Sequence, residues 1–476
     1  MLFNSIEFLF VFFPLVTVAY FALPHRYRWM LLLGASCYFY MAFIPIYILI
    51  LAVTIVIDYA AGIWIEDSTG IKRKRWLQVS ILSTCLVLII FKYYNFFATD
   101  LTALANLIGW NYSISALHLI LPIGLSFHTF QSLSYVIEVY RGHQKAERHF
   151  GIYSLYVMFY PQLVAGPIER PQNLLHQFYD KHEFEYHRVA SGLRQMLWGL
   201  FKKVVVADRL SIYVDAVYGN VAQHNGVTLA VATVFFAFQI YCDFSGYSDM
   251  AIGAARVMGF DLMQNFNRPY FSKSISEFWK RWHISLSTWF RDYVYVPLGG
   301  NRVDKLRWYR NLLVTFTLSG FWHGANWTYV IWGALNGFFL ISAVVTEPAR
   351  QRLAQITGLS RLPKLHMVIK VAITFFLTCC AWVFFRASNF SDAILIYQKL
   401  LLSRGPLFTG GAKDLIYGVI GIFCVLALDY WTRGRPFDVT ITHKNTMTRW
   451  AVYVFLLLGL LTIGVFDASQ FIYFQF

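Results

Sequence analysis

A histidine stands inside a long apolar run of this sequence. His323 lies within the run 312–345, in the stretch Leu-Ser-Gly-Phe-Trp-His-Gly-Ala-Asn-Trp. An ionisable side chain at membrane depth is a candidate functional residue, because burying it there is costly. At helical spacing its face is shared by residues that leave room for a ligand: Ser319, Gly320, Asn326 and Trp327. A structural alternative stays open, in which His323 bonds a neighbouring helix.

Two carboxylates interrupt the end of another apolar run. Asp243 and Asp249 lie in Asp-Phe-Ser-Gly-Tyr-Ser-Asp-Met. As structural residues they would cap helices or pair with a basic side chain. Because helix caps and ion pairs are the more common use of such residues, we favour that interpretation over a role as acids.

A second histidine lies in a basic, tryptophan-rich segment. The segment 275–296 carries apolar residues at helical spacing, with Glu277, Lys280 and Arg291 between them, which predicts an amphipathic helix at the membrane interface. Within it His283 would stack with Trp279 and lie beside Trp282, either at the mouth of a tunnel or as a structural residue. The two interpretations are equally supported.

The C-terminus is an aromatic tail, 470–476, in which the phenol of Tyr473 is the one nucleophile among the last six residues. Such a tail can fold back into a tunnel mouth, or it can be part of an interfacial aromatic belt.

Composition makes this an integral membrane protein. Of 476 residues, 58% are hydrophobic and only 14% charged, which is far from the soluble average. The net charge of +15 comes from short basic blocks between apolar runs, so membrane orientation explains it better than nucleic acid does. The six cysteines have no metal-ligand or paired spacing, and we expect no metal.

Apolar runs long enough to cross a membrane recur along the whole chain, which we treat as one domain. They predict about twelve crossings, with both termini outside and the basic blocks 25–28, 72–75 and 141–148 in the cytoplasm. The run 152–164 is short and contains Pro161, which predicts a re-entrant segment. The glycines near the middle of the run 312–345 predict two shorter helices that meet around His323. The candidate crossings are 6–23, 29–43, 46–65, 76–97, 119–139, 189–218, 227–250, the two halves of 312–345, 367–385, 415–430 and 451–465.

Four motifs, which contain the polar residues described above, together resemble the bacterial membrane-bound O-acyltransferase family, in its branch of alginate and peptidoglycan O-acetyltransferase membrane subunits. They are Asp-Phe-Ser-Gly-Tyr-Ser-Asp-Met-Ala-Ile-Gly (243–253), Glu-Phe-Trp-Lys-Arg-Trp-His-Ile-Ser-Leu-Ser-Thr-Trp (277–289), Trp-His-Gly-Ala-Asn-Trp (322–327) and Phe-Ile-Tyr-Phe-Gln-Phe (471–476). The resemblance implies an all-helical polytopic fold with a ring of helices around a tunnel. It also implies a bacterial inner membrane location, acetyl-CoA as the cytoplasmic donor and a polysaccharide acceptor outside the membrane.

The resemblance also assigns roles. The invariant histidine of the family falls on His323, the second motif histidine on His283, and the proposed acyl-relay tyrosine on Tyr473. His323 would be the general base, and Asn326 would orient its ring or donate to the oxyanion. The tunnel would be lined by Asn326, Trp322, Ser319, Trp279, Trp282, Asp243 and Asp249. No soluble hydrolase-like domain follows the tail, so we expect a separate periplasmic or extracellular acetyltransferase of the SGNH-hydrolase-like kind to act on the polymer.

Coenzyme A carries phosphates, which require basic side chains at the cytoplasmic mouth. Six are candidates, although each alone is more often an interface anchor: Lys202, Lys203, Arg268, Lys273, Lys280 and Arg281. We expect Lys202 and Lys203, inside a predicted crossing, to face a wet cavity or the cytoplasmic rim.

Three other functions stay open. The same fold could carry another acyl group, such as D-alanine from a carrier protein to teichoic acid. Broken helices and a histidine at membrane depth also mark secondary transporters, but these usually show internal repeats, which are not evident here. A membrane scaffold is disfavoured by the number of polar groups at depth.

Overall fold

The computed structural model describes residues 1–110, 114–117, 122, 124–164, 166–466 and 471–472. Within these residues the regular structure is entirely helical. Seven of the described helices are long and apolar enough to cross a membrane, and a shorter apolar helix spans Glu7–Ala22. The six cysteines are all free thiols. The prediction of an all-helical polytopic membrane protein is therefore confirmed.

The chain divides into two compact units. The first comprises Met1–Leu197 and Tyr247–Met263. Its main helices are Phe13–Ala22, His25–Met41, Ile48–Asp67, Gly70–Leu88, Tyr94–Leu107, Leu125–Arg141, Phe150–Met158, Tyr160–Leu163 and Pro171–Leu174, with Tyr186–Leu200 beginning in this unit. A π-helical turn, Ile89–Tyr93, joins two of these helices into one continuous stretch of 38 residues, Gly70–Leu107. The predicted crossing 76–97 is therefore too short at both ends.

The short run around Pro161 is broken in the structure, as its sequence predicts. It forms two helices, Phe150–Met158 and Tyr160–Leu163, that are separated by Phe159. Proline favours a first-turn position in a helix, where its missing N–H is not needed, and Pro161 lies in the first turn of the second helix, which begins at Tyr160. Both helices are buried inside the unit. That the run 152–164 is re-entrant in the membrane stays a prediction.

The second unit comprises Trp198–Gly246 and Gln264–Phe476. Its helices are Phe201–Ala207 (π-helical), Asp208–Tyr218, Gly226–Met258 (which ends in the first unit), Ile275–Arg281, Ile284–Phe290, Arg291–Tyr295 (π-helical), Lys305–His323, Trp327–Val345, Glu347–Ile356, Pro363–Arg386, Phe390–Leu402, Ala412–Thr432, Phe437–Thr442 and Thr446–Ile463. Short 3-10 turns connect several of the helices. They are Pro45–Tyr47 and Leu175–Phe178 in the first unit, and Val221–Gln223, Pro269–Phe271 and Leu359–Arg361 in the second. The predicted division of the run 312–345 into two helices around His323 is confirmed. The helix at the predicted crossing 227–250 is longer than that range, because it continues to Met258.

Candidate active site

His323 is positioned by a pair of helices, Lys305–His323 and Trp327–Val345, which we call the histidine hairpin. His323 ends the first helix, and Asn326 caps the second by accepting a hydrogen bond from the Thr328 N–H at 3.0 Å. The Asn326 amide also donates to the carbonyl of Ser388 at 3.3 Å. Asn326 thus holds the turn between the helices. Its proposed role toward the oxyanion stays a prediction.

Two glycines let the helices of the histidine hairpin touch through their backbones. A Cβ at Gly320 would lie 2.2 Å from the carbonyl oxygen of Tyr329, and one at Gly333 would lie 2.3 Å from that of Phe316. Small residues at helix crossings permit this close approach in membrane proteins. Gly320 precedes His323 by one turn, so the close contact at Gly320 fixes the position of His323 relative to the second helix.

The ring of His323 is enclosed by aromatic side chains. The residue is 4% exposed, and its ring centroid lies 4.8 Å from that of Trp322, 5.0 Å from Trp332 and 5.3 Å from Phe385, all edge to face. The predicted helical face with Asn326 and Trp327 is wrong, because the helix ends at His323 and those two residues begin the next one. Ser319 and Gly320 remain on the helix of His323, as predicted, and aromatic rings surround the side chain.

A cavity of about 800 Å³ lies beside the histidine hairpin, and Ser319, one turn before His323, is on its wall. We call it the basic cavity, because five of its lining residues are cationic: Lys273, Lys280, Arg291, Arg350 and Lys370. Its other walls carry aromatic and hydroxyl side chains, among them Trp279, Phe290, Tyr295, Trp308, Phe316, Ser287, Thr288 and Thr315. Among the residues that the structure describes, Glu347 is the one acidic residue of the lining. The chemistry of the walls suits an anionic ligand with flat or apolar parts.

Two of the six predicted phosphate-binding residues, Lys273 and Lys280, line the basic cavity. Sequence reasoning missed Arg291, Arg350 and Lys370 as members of the site. Their signal was weak, since each is a single cation near the end of an apolar or amphipathic segment, where interface anchors also occur.

His283 lies at a sharp break between two short helices. The predicted single helix 275–296 is wrong: helix Ile275–Arg281 ends before His283, which has φ +39°, and Ile284–Phe290 begins after it. Asn265 holds this break, because its carbonyl accepts from the Ile284 N–H at 2.9 Å and its side-chain oxygen accepts from the Ser285 hydroxyl at 2.6 Å. The stacking of His283 with Trp279 by helical spacing therefore does not apply.

The His283 side chain is buried and neutral. It is 1% exposed and meets Phe244 edge to face at a centroid distance of 4.5 Å. Burial lowers the pKa of His283 from 6.5 to about 3. A neutral ring at physiological pH can accept or donate a hydrogen bond but carries no charge.

The two predicted tunnel tryptophans differ in their surroundings. Trp279 lines the basic cavity and contacts Phe316 and Trp332, at centroid distances of 5.1 and 5.7 Å. Trp282 is 1% exposed and packs against Trp382 at 5.1 Å. Trp282 thus belongs to the aromatic packing behind the cavity.

Lys203 is buried between two carboxylates. Its Nζ lies 2.7 Å from Asp208 Oδ1 and 2.6 Å from Asp243 Oδ1, and the residue is 1% exposed. We call these three residues the ion cluster. Lys202 is also buried, and its Nζ donates to the Ser245 hydroxyl at 2.9 Å. The expectation that both lysines face a wet cavity or the cytoplasmic rim is wrong, because acidic and hydroxyl partners hold them inside the protein.

The remaining predicted residues lie apart from the basic cavity lining. Arg281 forms an ion pair with Glu277 at 2.6 Å. Arg268, with φ +47°, donates to the carbonyl of Asp429 at 3.3 Å, and burial lowers its pKa. In the first unit, Asp249 accepts from the Gln195 amide at 3.0 Å. Tyr473 lies outside the described residues, although Phe471 and Ile472 before it are described.

Comparison with known proteins agrees with these motifs. The family model described as the membrane-bound O-acyltransferase family matches residues 149–388. A Pseudomonas putida protein named probable alginate O-acetylase is 35% identical over 501 aligned positions, covering 100% of both chains. The peptidoglycan O-acetyltransferase of Helicobacter pylori is 36% identical, covering 85% of this chain and 80% of that one.

A more distant relative carries a different acyl group in its name. The teichoic acid D-alanyltransferase of Streptococcus thermophilus is 30% identical, over 46% of this chain and 56% of that protein. The matched family region contains both motif histidines, His283 and His323, and all five cations of the basic cavity. This chain therefore belongs to the membrane-bound O-acyltransferase family and is an O-acyltransferase.

Proposed function

We propose that this protein is a membrane O-acetyltransferase that moves an acetyl group from cytoplasmic acetyl-CoA toward an extracytoplasmic polysaccharide, with a separate partner completing the transfer. The observation that carries the proposal is the position of Ser319. It is on the wall of the basic cavity and one helical turn from His323, the candidate base. A donor held in the cavity would thus have its reactive end near the histidine hairpin.

The basic cavity has the chemistry that acetyl-CoA requires. Its five cations would hold the phosphates, and indole rings such as Trp279 and Trp308 would stack on the flat adenine. The apolar stretch of wall at Phe316 and Leu340 suits the slender pantetheine arm. Two of the cations, Lys273 and Lys280, are among those that we expect at the cytoplasmic mouth, where acetyl-CoA is available.

In the proposed reaction, His323 takes the proton of an acceptor hydroxyl while the hydroxyl oxygen attacks the thioester carbonyl. The new C–O bond forms as the C–S bond breaks, and the proton returns from His323 to the leaving thiolate. The aromatic enclosure of Trp322, Trp332 and Phe385 excludes water, which protects the thioester from hydrolysis.

We further propose that the helices form a ring of about twelve crossings around a tunnel, in a bacterial inner membrane with both termini outside. Tyr473 would be the first acceptor and would carry the acetyl group as an ester. The acceptor polymer would be alginate, a cellulose-like exopolysaccharide or peptidoglycan. A periplasmic or extracellular partner of the SGNH-hydrolase-like kind would take the acetyl group to it.

Acetyl is favoured over D-alanine by the extent of the relationship. The two relatives named as O-acetylases or O-acetyltransferases align with at least 85% of this chain, and the D-alanyltransferase with 46%. D-alanyl transfer remains the second candidate, because that relative is still 30% identical over the part that aligns.

The test is release of the CoA thiol from acetyl-CoA by the purified chain in lipid vesicles, which requires neither the polymer nor the partner. His323→Ala is expected to lower this rate by about 10²–10⁴-fold, the usual contribution of a general base. Tyr473→Phe should abolish labelling of the chain by radioactive acetyl-CoA. A His323→Ala protein that acts at the parent rate would refute the proposed mechanism, and D-alanyl pantetheine as the better donor would favour the second candidate.

A further inference from the structure

The last described residues of the chain return to the ion cluster. The Ile472 N–H donates to Asp243 Oδ2 at 2.7 Å. Both residues are 3% exposed, and Phe471 is fully buried. A backbone N–H bonded to a buried carboxylate is a charge-assisted hydrogen bond, which is short and strong.

The two oxygens of Asp243 have different partners. Oδ1 faces the ammonium of Lys203 at 2.6 Å, and Oδ2 accepts from Ile472. Lys203 in turn is shared with Asp208. Because the ion pair fixes one side of the carboxylate, the other side is oriented to receive the C-terminal segment.

A second contact ties the same segment to the same turn of the protein. After helix Thr446–Ile463 ends, the Val465 N–H donates to the carbonyl of Val204 at 3.0 Å. Val204 follows Lys203 in the chain. The segment is therefore attached both before and after the residues 467–470.

The attached segment reaches the surroundings of His283 through one aromatic ring. Phe471 contacts Phe244 at a centroid distance of 5.7 Å, and Phe244 meets His283 at 4.5 Å. Phe244 is also the residue next to Asp243 in its helix. One short stretch, 243–244, thus holds the C-terminal segment on one side and His283 on the other.

We propose that Asp243 is a positioning residue that docks the C-terminal segment at Ile472, with Lys203 orienting its carboxylate, so that Phe471 is held against Phe244, which contacts His283. The docking itself stands independently of the reaction. Its consequence for catalysis rests on the proposed function, in which Tyr473 carries the acetyl group.

Docking can be measured on the full chain with carboxypeptidase digestion followed by intact-mass analysis. In the parent, digestion is expected not to pass Ile472. Asp243→Ala removes the acceptor, so digestion should pass Ile472 at least fivefold faster than in the parent. Asp243→Asn keeps an acceptor oxygen without the charge and should be intermediate. Asp208→Asn is the matched control, since it removes the other carboxylate of Lys203 but keeps the Ile472 acceptor, and it should resemble the parent.

Equal digestion of Asp243→Ala and the parent would overturn the docking. Hydrogen exchange on the unmodified chain gives an independent test that no folding failure can confuse. The C-terminal peptide must contain a slowly exchanging amide at Ile472, and fast exchange there would also overturn the proposal.

The role in the reaction is tested by combining variants. Asp243→Ala should lower kcat for acetyl labelling at least tenfold without changing KM for acetyl-CoA, and in the Tyr473→Phe background Asp243→Ala should cause no further loss in the rate of thiol release. Independent, multiplicative losses, or full labelling after the segment is released, would refute the positioning role. Failure of the proposed function is distinguishable, because it would leave the digestion and exchange results unchanged.

Discussion

Trp332 meets His323 edge to face, with 5.0 Å between the ring centroids, and the same indole contacts Trp279 on the wall of the basic cavity. One side chain therefore joins the candidate base to the proposed donor site. Trp332 is 2% exposed and also stacks on Trp382 at 5.7 Å. Aromatic packing makes this connection.

Replacing Trp332 tests that connection. An aromatic pair contributes about 0.5–1.5 kcal/mol beyond its buried area, so Trp332→Leu should lower kcat for thiol release by up to about tenfold. Trp332→Phe keeps an aromatic edge and should retain most of the activity. Single-turnover kinetics of both variants provide the measurement, and equal rate constants for Trp332→Leu and the parent would contradict the prediction.

Gly320 should not tolerate a side chain. A Cβ there would lie 2.2 Å from a backbone oxygen of the facing helix, so Gly320→Ala must separate the helices of the histidine hairpin. Overpacking of this kind costs about 1–3 kcal/mol, and activity should fall with stability. Gly34→Ala is the control, because nothing lies within 4 Å of its Cβ position. Thermal unfolding of both variants measures the difference, and similar melting temperatures would count against the close approach.

Charge at the rim of the basic cavity should control donor affinity. Lys280 is exposed and lines the cavity, so Lys280→Gln should raise KM for acetyl-CoA about three- to tenfold and leave kcat unchanged. The parent KM should also rise with salt. Arg352→Gln is the matched control, an exposed cation on helix Glu347–Ile356 that is not among the lining residues. An equal rise in KM for both variants would mean that general surface charge, and not the cavity, attracts the donor.

His283 should make stability depend on pH. Its pKa is about 3 in the folded protein and 6.5 when unperturbed, so the unfolded state binds more protons between these values. Stability contributed by the neutral ring is complete above pH 6.5 and is lost as pH falls, by about 2 kcal/mol between pH 6.5 and pH 5.

The variant for this test is His283→Asn, since asparagine tolerates the left-handed backbone at φ +39°. Its melting temperature, measured across the same pH range, should decline less than that of the parent. A parallel decline in the two proteins would show that other groups account for the pH dependence.

Periodicity predicted the helices well where one segment determines its own structure. The glycine-rich middle of the run 312–345 predicted a hairpin around His323, and the hairpin is present. Pro161 likewise predicted a break. These features depend on the residues that form them, so no distant part of the chain was required.

The parts of the site that sequence reasoning missed depend on distant residues. The break at His283 is held by Asn265, 18 positions earlier, and a helical pattern does not report a positive φ. Lys203 is buried because Asp243 neutralises it from another helix. The basic cavity brings together cations from position 273 to position 370, and only the folded chain shows that they line one cavity.

The stacked indoles of Trp332 and Trp382, inclined by 17°, also give the protein an optical probe of its own. Two parallel chromophores at 5.7 Å, fixed in one geometry, should contribute strongly to the near-ultraviolet circular dichroism, which reports on ordered tertiary packing. Binding of the proposed donor in the neighbouring cavity should change this signal, without a label and before any chemistry takes place.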